Sequence, residues 1–339
     1  MKQHQSVFKR HCQKVCKPEV ATSIKRIYQY FLLPWLVAIL VVACNHASVP
    51  ETQSSTNCRT VEHAAGETCV PPSPQRLIAL GPPTMADALS VGIKPIGTVF
   101  YFDETPPYLE GKLDEIELIG KIPEQPNLEK TLTLNPDVII GVEGGAESIY
   151  SQLSQIAPTV LGRWKGYPSW KDHFNFVAEV LGKTEEAEKV WAHYEQRVQE
   201  LRAALDNNYQ DIAVSFVHIC CGTIDIDFKN SFNGMILDDV GLRRPPAQEV
   251  VIEGGITSIS EERLMDIDGD ILFVATTSKE SEELLEELKQ NPLWSQLKAV
   301  KQGRVYAVDY ATWRGGNPLA ADAVINDLFK YLVEDTTAS

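Results

Sequence analysis

The chain has 339 residues, of which 31 are Lys or Arg and 46 are Asp or Glu, giving a formal net charge of −15 at pH 7. Residues 1–43 contain seven of the basic residues and one acidic residue, so the remainder carries a formal charge of −21. Nucleic acid is excluded as an expected partner, because no excess of Lys and Arg is left to neutralise phosphates. An anionic small ligand is still allowed, since the local charge of a pocket can oppose the net charge.

The first 43 residues are predicted to be a signal peptide. Basic residues precede an apolar run at residues 31–43, which contains Pro34 and is too short to span a bilayer. The run ends in Val-Val-Ala before Cys44, and so resembles a bacterial lipoprotein signal in which Cys44 receives the lipid. A retained membrane anchor is the alternative. On either interpretation the rest of the chain is exported and tethered.

Residues 44–70 are predicted to be a tether, because residues 45–60 are rich in Ser, Thr, Asn and Pro and cannot bury a core. Cys58 and Cys69 flank a short loop outside the cytoplasm and could form a disulfide that contributes ~3 kcal/mol at most. Cys220 and Cys221 are adjacent at a predicted strand end, where successive side chains point to opposite faces. A metal-binding pair is therefore not expected there, and we interpret both as small core or rim residues.

Residues 71–166 alternate between predicted strands and helices, each strand bounded by Gly or Pro. The predicted strands are residues 76–80, 96–100, 138–141 and 159–161, and the predicted helices are residues 84–89, 127–134 and 147–156. Such alternation predicts an N-terminal α/β lobe with a buried, mostly parallel sheet.

Residues 167–206 have apolar side chains at helical spacing and are predicted to form a long connecting helix, kinked or broken at Gly182. Residues 207–339 repeat the alternation as a C-terminal lobe. Its predicted strands are residues 212–219, 249–252, 271–275 and 305–308, and its predicted helices are residues 232–240, 260–265, 281–290 and 318–332. The predicted fold class is α/β, with two Rossmann-like lobes of mostly parallel sheets, joined by a long helix and separated by a ligand cleft.

Candidate ligand contacts follow predicted strands, because parallel sheets bind ligands at the carboxyl ends of their strands. Two such ends, one on each lobe, pair an arginine with a tryptophan: Arg163 with Trp164, and Arg314 with Trp313. An adjacent cation and large ring suit a bulky ligand that is partly anionic and otherwise flat or apolar. Tyr101 follows a third strand. The alternative is that both tryptophans pack in the lobes' cores while the arginines are solvated.

The sequence evidence for an enzyme is weaker than the evidence for a ligand-binding site. After residue 43 the sequence contains no nucleophile elbow, phosphate-binding loop, zinc-binding helix or Cys-x-x-Cys pair, and its histidines are scattered. We therefore expect no catalytic residue, no directly bound metal and no cofactor. If the chain were an exported α/β enzyme, Glu143 and His218 would be its best acid–base groups. A surface scaffold without a small ligand is a third possibility.

Seven short motifs extend along the chain: RLIALG at residues 76–81, VGIKPIG at 91–97, PNLE at 126–129, LNPDVII at 134–140, LSQIAPTV at 153–160, LDDVGLRRP at 237–245 and NPLW at 291–294. Together they resemble the class III periplasmic substrate-binding proteins of ABC importers for iron-siderophores and cobalamin. The resemblance runs from about residue 58 to residue 332.

The resemblance implies a lipid-anchored periplasmic or cell-surface monomer that delivers a ferric siderophore to an ABC permease and its ATPase. In the family, one glutamate on each lobe docks onto the permease; these match Glu129 and, within one residue, Glu262. Trp313 matches a ligand-stacking aromatic of hydroxamate binders, and Lys121 lies where relatives place a cation. Residues 252–255 lack the aromatic that some relatives carry there, so the siderophore type stays open.

The resemblance further implies that the chelator, and not the protein, ligates the iron. Our leading hypothesis is a ferric siderophore of hydroxamate or citrate type, contacted by Tyr101, Arg163, Trp164, Trp313 and Arg314. Cobalamin or haem is the alternative ligand, which the two arginines disfavour only mildly.

Overall fold

A computed structural model of the chain describes residues 58–100, 105–122, 124–205, 209 and 211–334. The predicted signal peptide, the lipidation site Cys44 and the candidate ligand contact Tyr101 lie outside the described residues. Within this part of the chain, no helix combines the length and the apolar character needed to cross a membrane.

The described chain begins with an antiparallel hairpin of strands β1 (Arg59–His63) and β2 (Gly66–Val70). Cys58 and Cys69 are joined by a disulfide, with their Cα atoms 5.6 Å apart. Val61, His63 and Val70 are buried. The prediction of a tether up to residue 70 is therefore wrong for residues 58–70, where alternate inward-facing side chains anchor the hairpin.

Replacing Cys58 and Cys69 by serine is expected to lower the free energy of unfolding by about 2–3 kcal/mol, since the bridge restricts the unfolded chain. Urea denaturation of the oxidised chain and the double variant measures the difference. Equal midpoints and slopes would contradict it and show that hairpin packing alone fixes this segment.

The N-terminal lobe contains a five-stranded parallel sheet in the order β5-β4-β3-β6-β7. Its strands are β3 (Leu77–Ala79), β4 (Gly97–Phe100), β5 (Glu117–Lys121), β6 (Val138–Val142) and β7 (Thr159–Gly162). Its helices are α1 (Pro82–Ser90), α2 (Leu128–Thr133) and α3 (Tyr150–Ile156). All four predicted strands of this lobe are present. The edge strand β5 was missed, because only Ile119 among its residues is buried.

Two helices connect the lobes: α4 (Trp170–Val180) and α5 (Thr184–Leu205). The break falls at Gly182, as predicted. Its φ of +67° belongs to the left-handed region, and an added Cβ would lie 2.6 Å from the carbonyl oxygen of Pro72. Only glycine meets both conditions without strain.

The C-terminal lobe contains a mixed sheet in the order β10-β9-β8-β11-β12, in which β9 is antiparallel to both neighbours. Its strands are β8 (Val214–Cys220), β9 (Thr223–Asp227), β10 (Ile256–Ile259), β11 (Ile271–Thr276) and β12 (Val305–Ala307). Its helices are α6 (Phe232–Asp239), α7 (Lys279–Leu288), α8 (Lys298–Lys301), α9 (Tyr310–Trp313) and α10 (Pro318–Phe329). The strand predicted at residues 249–252 is wrong, since that segment is irregular and β10 begins at Ile256.

One hydrophobic core extends through both lobes. It contains Leu77 and Val138 of the first sheet, Trp170 of α4, and Phe216 and Phe273 of the second sheet. Separate clusters cover the opposite face of each sheet. Helix α10 adds a second connection, because it packs on both α5 and α1. The lobes are therefore joined by continuous packing and not by the connecting helices alone.

Candidate functional site

A cavity of about 240 Å³ lies at the carboxyl edge of the N-terminal sheet. The edge is formed where the parallel strands β3, β6 and β7 end. Residues at the ends of these strands or shortly after them line the cavity, among them Gly81, Thr84, Val142, Ala146, Trp164 and Tyr167. Their apolar and aromatic character, with the hydroxyls of Thr84 and Tyr167, is typical of a small-molecule site.

Arg163 and Trp164 are adjacent in the chain but lie in different surroundings. Trp164 is half-buried in the cavity wall, with its ring edge-on to Tyr167 at 5.8 Å and to His173 at 5.4 Å between centroids. Arg163 does not line the cavity; its side chain is 67% exposed and lies 3.8 Å from the carboxylate of Glu62 on β1. The structure thus places only the tryptophan at the cavity, because side chains alternate at a strand end.

Arg314 is a buried cation at the junction of the lobes. Its side chain is 7% exposed, and its guanidinium donates a hydrogen bond to the carboxylate of Asp227 at the end of β9. Its central carbon lies 4.3 Å from the ring centroid of Tyr167, which belongs to the N-terminal lobe. Burial opposes the charge, but the Asp227 carboxylate together with Tyr167 and Tyr310 outweighs burial, so the pKa of Arg314 is raised. The guanidinium is therefore charged at every relevant pH.

His218 lies on the other side of Asp227, with Nε2 of its ring 3.5 Å from Oδ2 of that carboxylate. Burial lowers the pKa of His218, and the nearby Asp227 only partly opposes this. Within the described residues, neither ring nitrogen of His218, nor Oδ2 of Asp227, nor Nε of Arg314 has a hydrogen-bond partner. Buried polar groups without a hydrogen-bond partner cost free energy of folding, so this polar cluster is suited to forming further hydrogen bonds.

Trp313 is completely buried, and the prediction that it stacks on a ligand is wrong for this structure. Its ring packs on Phe216 at 5.1 Å and Phe273 at 4.4 Å between centroids. Its indole N–H donates to Asp327 at 2.8 Å. The short helix α9 holds the ring beneath the second sheet, so Trp313 is a core residue while its neighbour Arg314 faces the other lobe.

The lobes touch where Tyr167 meets the C-terminal lobe. An added Cβ on Gly316 would lie 2.9 Å from the Tyr167 ring, so glycine permits this close approach. Tyr167 thus lies between the cavity and Arg314, lining the former and covering the latter. Neither Tyr167 nor Asp227 is among the residues that the sequence predicts for the site. A signal existed for Tyr167, which follows Gly166 in the loop after β7.

The remaining candidates lie on the surface. Lys121 is the last residue of β5 and is exposed at the same sheet edge, next to Ile122, which lines the cavity. Glu129 is exposed in the first turn of α2, after the Asn127 N-cap. Glu262 is exposed at the start of the 3₁₀ helix Glu261–Ile267, and a hydrogen bond with Ser260 lowers its pKa.

Glu261 and Glu262 differ in their surroundings. The Glu261 carboxylate accepts a 2.9 Å hydrogen bond from the side-chain amide of Asn291. This contact holds Glu261 against its own lobe, whereas Glu262, the residue predicted to dock onto a permease, makes no such contact with Asn291. For the enzyme alternative, Glu143 accepts the backbone N–H of Trp164 at 3.2 Å, whereas His218 is buried in the other lobe.

Comparison with known proteins identifies relatives over most of the chain. The family described as Periplasmic binding protein matches residues 119–312. The probable siderophore-binding lipoprotein YfiY of Bacillus subtilis is 32% identical over 319 residues, which cover 89% of this chain and 97% of that protein. The Fe(3+)-citrate-binding protein YfmC of the same organism is 29% identical over 300 residues, covering 82% of this chain and 90% of YfmC.

A solved structure shares the same fold. The crystal structure of Staphylococcus aureus SirA complexed with staphyloferrin B is 28% identical in sequence and has a TM-score of 0.72. The match covers 81% of this chain and 98% of the SirA chain.

Proposed function

Because the chain belongs to the periplasmic binding protein family, we propose that it captures a ferric siderophore of hydroxamate or citrate type for an ABC importer. The observation that carries the proposal is the buried guanidinium of Arg314 at the lobe junction, next to an aromatic-walled cavity. The names of YfiY and YfmC, which refer to siderophore and ferric citrate binding, support it. The chelator would ligate the iron.

Arg314 would supply the anion-binding part of the site. In the structure its charge is shared between the Asp227 carboxylate and the face of the Tyr167 ring. A ligand carboxylate makes a stronger, charge-assisted hydrogen bond with a guanidinium than an aromatic ring can. Moving the Tyr167 side chain aside would connect the cavity to Arg314, so this side chain would act as the gate between them. Trp164 would form the opposite aromatic wall.

Delivery to the importer would use Glu129 and Glu262, one exposed carboxylate on each lobe. Charged groups at the rim of an interface chiefly steer and orient association. Their partner would be an ABC permease with its ATPase. A lipid on Cys44 would hold the exported monomer near that permease, and residues 45–57 would supply the tether. This role needs stoichiometric binding and no turnover.

The test is a titration of the purified chain with ferric citrate, a ferric trihydroxamate, haem and cobalamin, followed by tryptophan fluorescence. Saturable quenching by a ferric chelate is expected, because Trp164 lines the cavity. The gallium chelate serves as a redox-inert competitor, and recovery of unchanged chelate after binding tests for turnover. Binding of cobalamin or haem with no response to any ferric chelate would overturn the proposal.

A further inference from the structure

The turn between β8 and β9 brings two cysteine sulfur atoms together. Cys220 ends β8, and it pairs with Thr223, the first residue of β9. The Sγ atoms of Cys220 and Cys221 are 2.8 Å apart. The prediction that their side chains point to opposite faces is wrong, because the strand ends at Cys220. The sulfur atoms are thus close to the bonding distance of about 2.05 Å.

The backbone explains this approach. Cys221 and Gly222 form the two-residue turn, and their φ angles are +57° and +79°. Two positive φ angles correspond to a type I′ turn, which favours Asn-Gly or Asp-Gly. A cysteine at the first position is strained, and a strained residue in a turn suggests a functional demand. The left-handed conformation of Cys221 directs its thiol back toward Cys220.

We propose that Cys220 and Cys221 form a vicinal disulfide that opens and closes by thiol–disulfide exchange. Cys221 is exposed and Cys220 is half-buried, so an external disulfide can reach the pair. The same chain already contains the Cys58–Cys69 disulfide. Disulfides persist in the oxidising surroundings of exported proteins, and the relatives named as lipoproteins or periplasmic proteins belong to that class.

The reaction consumes one external disulfide, RSSR. The Cys221 thiolate attacks one of its sulfur atoms, forming a mixed disulfide and releasing one thiolate, RS⁻. The Cys220 thiolate then displaces the second RS⁻ and forms the Cys220–Cys221 bond. The protein loses two protons and two electrons, and RSSR is reduced to two molecules of RSH. Burial raises the pKa of the Cys220 thiol, which agrees with the exposed Cys221 attacking first.

The two disulfides should differ in ease of reduction. Adjacent Cα atoms are about 3.8 Å apart across a trans peptide bond, whereas disulfides usually join Cα atoms about 4.4–6.8 Å apart. Cys58 and Cys69 meet that condition, with Cα atoms 5.6 Å apart. A bridge between neighbouring cysteines is strained, so it is reduced under milder conditions.

The cysteine pair also lies near both surfaces that the proposed function uses, which are the ligand site and the permease-docking surface. Cys220 is the last residue of β8 and lies on the same face of the strand as His218, whose ring packs against Tyr310. Gly222 and Thr223 line a groove of about 670 Å³ together with Glu262. Forming the Cys220–Cys221 disulfide would close a small covalent ring and so fix the conformation of the turn. This turn lies between the polar cluster around Arg314 and the predicted docking carboxylate.

The experiment equilibrates the intact exported chain, residues 44–339, with mixtures of reduced and oxidised glutathione. Free thiols are then alkylated, and peptides are identified by mass spectrometry. We expect the peptide with Cys220 and Cys221 to be lighter by two hydrogens and unalkylated in oxidising mixtures. It should become doubly alkylated at a lower ratio of reduced to oxidised glutathione than Cys58 and Cys69.

Two control variants isolate the bond. Cys221→Ser should leave Cys220 alkylatable or carrying glutathione in every mixture, whereas Cys58→Ser with Cys69→Ser should still yield the lighter peptide. Three results would overturn the proposal: alkylation of both thiols in every mixture, disulfide-linked dimers in place of the ring, or opening at the same ratio as Cys58–Cys69.

Discussion

Replacing Arg314 by alanine is expected to weaken binding of ferric citrate by about 10- to 100-fold. A hydrogen bond to a charged group contributes about 1.5–3 kcal/mol, and each 1.4 kcal/mol changes Kd about tenfold. Arg314 is the buried cation that Tyr167 covers in the structure, so its loss removes the anion-binding part of the site. Isothermal titration calorimetry on the purified variant measures the change.

The same substitution also affects folding, which the controls must separate from binding. Removing one partner of a buried ion pair costs about 3–5 kcal/mol, because the Asp227 carboxylate stays buried without its cation. The double variant Arg314→Leu with Asp227→Leu removes both charges and should recover much of the stability, yet still bind weakly. Arg163→Ala is the matched control, since its guanidinium is exposed and outside the cavity. Full affinity in a folded variant without Arg314 would disprove its role.

Alanine substitutions at Trp313 and Trp164, the tryptophans of the two Arg–Trp pairs, are expected to differ: the first should mainly lower stability and the second should mainly weaken ligand binding. Trp313→Ala should lower the free energy of unfolding by about 3–5 kcal/mol, because it leaves a large cavity beside Phe216 and Phe273. Trp164→Ala should cost much less stability, since the ring is half-buried, but should weaken ligand binding. Denaturant unfolding and calorimetric titration of the same samples give both quantities.

Fluorescence gives an independent measure of which ring meets the ligand. Phenylalanine at either position preserves much of the packing while removing the indole signal. Trp164→Phe should remove most of the quenching caused by a ferric chelate, and Trp313→Phe should leave it in place. The reverse result would show that the ligand enters the C-terminal lobe near α9 instead of the N-terminal cavity.

Much of the architecture could be predicted from the sequence, because buried parallel strands appear as continuous apolar runs. The segments at residues 138–141 and 271–275 are examples, and both coincide with internal strands, which have a neighbour on each side. Strand β9 was missed, since its alternating Thr-Ile-Asp-Ile-Asp pattern carries no such run. The break at Gly182 was predictable because glycine is a poor helix former and adopts the left-handed backbone conformation found there at no steric cost.

The site was only partly predictable. The pair Arg163 and Trp164 does follow strand β7, but Trp313 lies in helix α9 and not at a strand end. The sequence also could not show which member of each pair faces the ligand. That choice depends on backbone direction at the last residue of a strand or helix, which changes within one or two residues. The contact between Tyr167 and Arg314 joins residues far apart in the chain. Without the fold, no local pattern connects them.

The core that runs through both lobes has a consequence for engineering the protein. Trp170 of α4 and Phe232 of α6 meet edge to face at 5.2 Å, although they belong to different halves of the chain. A fragment truncated between them would expose one of these rings to water, together with the apolar side of α10. Chimeras that exchange a single lobe with a relative would therefore need the matching helices transplanted with it.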